Sequence, residues 1–139
     1  MTYYKVTTSD NASVCVSQRC RNSKFCVRYK EGKWVRPRVK GTKVFCFKTA
    51  AEAKHFAECQ AEMGYRIWEV EVKNPTDEYE YFFNCVYDPD FPERVEALLK
   101  GEAVFHPITG VEEEFTQDWS MGTVFCDAVK LTKLVEEVI

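Results

Sequence analysis

The sequence predicts an α+β domain: a mostly antiparallel, twisted sheet of about six to eight short strands with two helices packed on it. Three observations carry this expectation. Short β-branched and aromatic runs recur along the chain, divided by Gly, Pro, Asn and Asp turn signals. The stretch from Gly41 to Lys73 reads as strand, helix, strand with almost no spare residues. A capping box, Asp90 with Glu93, opens a further helical pattern that Gly101 ends. At 139 residues, 45% of them apolar, the chain makes one domain, 1–139, large enough to bury a core.

Taken in order, Tyr3–Thr8 is the opening strand, stopped by Ser9-Asp10-Asn11. Ser13–Ser17 is a second, and Gln18–Lys24 a basic loop. Phe25–Lys30 alternates, with Phe25, Val27 and Tyr29 on one face and Cys26, Arg28 and Lys30 on the other. Pro37 cannot donate to a ladder, so Lys33–Val39 reads as an edge strand or an irregular segment. Lys43–Phe47 is a β-rich run. Thr49 and Glu52 then cap a helix over Ala50–Met63, with Gly64 suited to the left-handed residue beyond its end. Tyr65–Lys73 alternates, Trp68, Val70 and Val72 against Ile67, Glu69 and Glu71. After the loop Asn74–Asp77 come a strand at Tyr79–Tyr87, the second helix from about Phe91 to Lys100, and short strands at Ala103–His106 and Phe115–Trp119. Thr123–Ile139 fits a strand or one helical face; the reading adopted is a strand to about Thr132 followed by a short terminal element.

No apolar run approaches the ~18 residues of a spanning helix, and no apolar stretch follows a basic N-terminus, so cytoplasmic residence without membrane contact is expected. The seven cysteines (15, 20, 26, 46, 59, 85 and 126) include no C-x-x-C pair. Four of them lie in β-like apolar runs, so reduced thiols are expected and no metal is assigned.

Charge is strongly polarised. Residues 1–48 carry twelve Lys or Arg against Asp10 and Glu31, a net of +10. The remainder carries seven basic and twenty acidic residues, a net of −13. Either basic strands pair with acidic neighbours across the sheet, or a basic face binds phosphate while the acidic remainder keeps the protein soluble. For the second reading the ligand-binding residues are Arg19, Arg21, Lys24, Arg28, Tyr29, Lys33, Trp34, Arg36 and Arg38. Guanidinium groups take phosphates bidentately, and aromatic rings give bases a surface to stack on.

No catalytic residue and no cofactor is assigned. Nothing resembles a nucleophile elbow, a zinc-protease helix, a P-loop or a dinucleotide fingerprint. His55 lies mid-helix, and His106-Pro107-Ile108-Thr109 misses the His-x-Thr/Ser of two-histidine phosphoesterases. Glu69-Val70-Glu71 is similar to the Glu-x-Glu strand of ADP-ribosyltransferases, but the opening strand lacks the Arg or His such an enzyme needs.

The Gly-Thr at residues 41–42 with its apolar strand, the Ala-rich helix, the Ile-Trp-Glu-Val-Glu-Val strand and the late Gly122-Thr123-Val124 resemble small accessory proteins of bacteriophages and prophages. That resemblance covers Gly41–Val72 and Gly122–Thr132. It implies a small cytoplasmic protein directed at host machinery or host immune signals. The expected function is non-enzymatic binding of a nucleotide signal or nucleic acid, possessing an anti-defence role. The alternatives are a protein–protein inhibitor or adaptor of a host factor, and a small nucleotide-processing or transferase-like enzyme.

Overall fold

The structure is a computed structural model that describes residues 1–14, 22, 24, 26–39, 42–61, 64–77, 100 and 122–139. Six strands run through them: β1 (Tyr3–Thr7), β2 (Trp34–Val35), β3 (Val44–Phe47), β4 (Tyr65–Lys73), β5 (Thr123–Cys126) and β6 (Ala128–Val138). One helix, α1 (Ala50–Gln60), joins β3 to β4. The strands form a single antiparallel sheet in the order β2-β6-β4-β1-β3-β5, curled into a half-barrel.

This corrects the expected fold class. The described residues are mostly sheet with a single helix, not two helices packed on a sheet. The physical reason lies in how the second face is covered. Side chains of alternate parity on β3, β4 and β5 are buried on both faces, in two separate clusters. Val6, Phe45, Phe47, Ile67 and Phe125 pack under Phe56 and Ala57 of α1. Val44, Cys46, Trp68, Val70, Cys126 and Leu131 pack instead under Val27 and Tyr29, which belong to an irregular segment. The C-terminal stretch also resolves toward sheet: β6 pairs with β4 from Ala128↔Lys73 to Val138↔Tyr65, well beyond Thr132. The predicted second helix and the strands at Tyr79–Tyr87, Ala103–His106 and Phe115–Trp119 lie outside the described residues, apart from Lys100.

The N-terminal signal of the central unit acts as anticipated, but its C-terminal one does not: Ala61 caps the helix, and Gly64 lies beyond it. Thr49 is the N-cap, its hydroxyl accepting from the Glu52 N–H at 3.1 Å. That hydroxyl also donates to Glu52 Oε1 at 3.0 Å. The helix ends at Gln60, three residues before the expected limit. Gly64, at φ +92°, leads into β4 where it passes under the end of β6. A Cβ there would stand 2.7 Å from the Val138 carbonyl oxygen, a backbone atom with no room to yield. Gly64→Ala is therefore expected to cost at least ~1–2 kcal/mol in chemical denaturation, from the left-handed backbone alone. A loss below ~0.5 kcal/mol, the range of neutral surface changes, would contradict this close approach. No helix among the described residues is long and apolar enough to cross a membrane.

Candidate functional site

α1 covers only part of its face of the sheet. Beyond it, the odd-numbered residues Glu69, Glu71 and Lys73 of β4 emerge half-buried or exposed. Strand pairing sets Trp34 of β2 opposite Lys130 of β6, and Lys130 opposite Glu71 of β4. One row thus crosses the sheet as Trp34, Lys130, Glu71. Its contacts follow from that register: Lys130 Nζ lies 3.0 Å from Glu71 Oε2 and 5.2 Å from the Trp34 ring centroid. Lys73 Nζ stands 4.5 Å over the same ring. Cations are drawn to the negative face of an indole, so both ammonium groups are held beside it. Trp34 is 40% exposed and lines an open groove of about 660 Å³ with Thr2, Glu69, Glu71, Lys73 and Thr132.

Asp127, where β5 passes into β6, ties down the turn that follows β4. Its carboxylate accepts from Lys43 Nζ at 2.5 Å and from Asn74 Nδ2 at 2.8 Å. The Lys43 hydrogen bond, then that from Asn74, holds its carboxyl below the usual carboxylate range, and Arg36 adds attraction. A depressed carboxyl stabilises the fold fully above the ordinary carboxylate pKa and loses that contribution as pH falls through its folded value. Asp127→Asn should accordingly cost about 0.5–1 kcal/mol at neutral pH, with the difference from the parent vanishing in acid. Equal destabilisation at pH 7 and in acid would show that the ion pair is not the cause.

The residues expected to bind ligand fall into three groups. Lys33, Trp34, Arg36 and Arg38 are exposed on β2 and the turns around it. Among the described residues, Lys33, Arg36 and Arg38 enter no ion pair, unlike Lys43, Lys48, Lys54, Arg66 and Lys130. Arg28 is exposed but paired with Asp10, at 3.6 Å, and Lys24 is exposed. Tyr29 offers no stacking surface, since it is 6% exposed within the second cluster, and burial pushes its hydroxyl's pKa up. Arg19 and Arg21 lie outside the described residues. Lys73 and Lys130 were not identifiable from the sequence. They come from the acidic portion of the chain, and only the register of β2, β6 and β4 brings them to Trp34.

The two charge readings therefore divide the basic segment between them: among the described residues, Arg28, Lys43 and Lys48 form ion pairs with acids, whereas Lys33, Arg36 and Arg38 form none. Cys26, Cys46 and Cys126 are buried free thiols and Cys59 an exposed one. Among the described residues no group of His, Cys, Asp or Glu is arranged to hold a metal. His55 is exposed on α1, its Nε2 3.9 Å from Cys59 Sγ. Compared with family models, curated proteins and solved structures, the chain matches none.

Proposed function

We propose that this is a non-enzymatic binding protein that takes a phosphate-bearing ligand, a nucleotide signal or a single-stranded nucleic acid, at the groove beside Trp34. The observation that carries the reading is an exposed indole with the Lys73 ammonium over its ring, in a segment whose Lys33, Arg36 and Arg38 enter no ion pair among the described residues. Lys33, Arg36 and Arg38 are exposed and lie close to Trp34 in the chain, and Lys73 lines the groove with it. An aromatic surface for a base beside unneutralised cations for phosphates is what such ligands require. Glu69 and Glu71 in the same groove add hydrogen-bond acceptors for base or sugar groups. The resemblance to phage accessory proteins drawn from the sequence implies a cytoplasmic setting and a target in host machinery or host immune signals.

Mass spectrometry of ligand released from purified protein, with thermal shifts against nucleotides and short oligonucleotides at low salt, tests the reading. A ligand at a hundred times its dissociation constant adds about 2.7 kcal/mol of stability, a shift of several degrees. Intact protein that releases no nucleotide and shows no shift with any of them would overturn the phosphate site and leave docking on a host protein.

A further inference from the structure

We propose that the outer edge of β6, from Thr132 to Val138, pairs antiparallel with the same edge of a second copy of this chain, setting Lys133 opposite the partner's Glu136. β4 pairs with β6 along its inner side, but β2 takes the outer side only at Val129 and Lys130, with the Gly32 N–H reaching the Leu131 carbonyl. Beyond Leu131 no described residue pairs with that edge. Leu134, Val135 and Val138 there are 40%, 46% and 38% exposed. An unpartnered apolar edge is a template for another strand.

The sequence of the edge selects a second copy as that strand. Register shifts between Ile67 and Trp68 and between Glu69 and Val70 leave Val135 and Thr132 as extra residues on β6. As a result Lys133 faces Glu69 and Glu136 faces Ile67, two β4 residues of the same parity, so both charges project from the helix-bearing face. Lys54 of α1, 3.4 Å from Glu136, lies on that face too. Aligning Leu134 with the partner's Val135 brings Lys133 against the partner's Glu136 twice, once on each side of the two-fold axis, and apolar against apolar between them. A shift of one residue sets Leu134 against a glutamate or Lys133 against a valine. In-register parallel pairing sets like charge on like. β2 stops short of the free positions, so it does not obstruct the approach.

Sedimentation velocity of the full chain tests this. A dimer is expected, with Lys133→Glu and Glu136→Lys each weakening it by about tenfold or more, because each reversal creates two like-charge contacts. Combining the two reversals should restore the dimer. Val135→Lys, at an exposed position, should also dissociate it, with the melting temperature falling only to that of the parent diluted until it is monomeric, which separates association from folding. A monomer at all concentrations, a dimer indifferent to the single reversals, or a double reversal that stays monomeric would overturn the proposal.

Discussion

Replacing Phe56 or Trp68 by Ala is expected to cost ~3–5 kcal/mol each, because each removes a large buried aromatic side chain from a different core. Phe56, 1% exposed, stands with its ring centroid 5.4 Å from Phe45 and 5.1 Å from Phe47, and joins α1 to the sheet. Trp68, 4% exposed, lies on the opposite face and donates from Nε1 to the Thr7 hydroxyl at 3.2 Å. Equilibrium denaturation measures both losses. Since the clusters share a sheet but not side chains, the double variant should lose close to the sum of the two. A loss under ~1 kcal/mol at either site would mean that face is not a packed core.

Lys5→Ala should be comparably damaging, which no exposed lysine would be. Lys5 is 1% exposed at the centre of β1. Its ammonium donates to the Phe45 carbonyl at 2.7 Å, lies 3.8 Å from the Phe45 ring centroid and 5.4 Å from that of Tyr29. Alanine removes the buried stem and the donor together, at an expected cost of ~3–5 kcal/mol. Lys5→Met retains the stem and loses the donor, for about 1–3 kcal/mol. Denaturation midpoints that rank Met equal to Ala would show that the ammonium contributes everything and the stem nothing.

Much of the scaffold was legible because its signals are local. Thr49 caps α1, Tyr65–Lys73 is β4 with the faces assigned, and Pro37 keeps the Trp34 segment at the sheet's edge. Other features depend on which faces become covered, and alternation is silent there. Lys5 in a Tyr-Tyr-Lys-Val-Thr strand reads as solvent-facing until both faces of the sheet are buried. Tyr29 reads equally well as a stacking ring or a core residue, and Val27 beside it in the second cluster shows which. The groove is legible only in part. Trp34, Lys33, Arg36 and Arg38 lie within one short segment, whereas Lys73, Lys130 and Glu71 arrive only through the pairing of β2 with β6 and of β6 with β4.

Trp34 and the exposed basic residues of its segment are proposed to form a ligand site and not to serve as scaffold. Titration of a labelled single-stranded oligonucleotide or nucleotide with the parent, Trp34→Ala and the pair Arg36→Glu with Arg38→Glu tests it most directly. At about 50 mM salt the parent should bind saturably, and oligonucleotide binding should fall steeply by about 200 mM as released counterions are opposed. Trp34→Ala should weaken binding by the ~1–3 kcal/mol of a lost stacking contact. The charge reversal should abolish binding while the melting temperature barely changes. Parent-like binding by both variants, or reversals that unfold the protein without touching its affinity, would contradict the account.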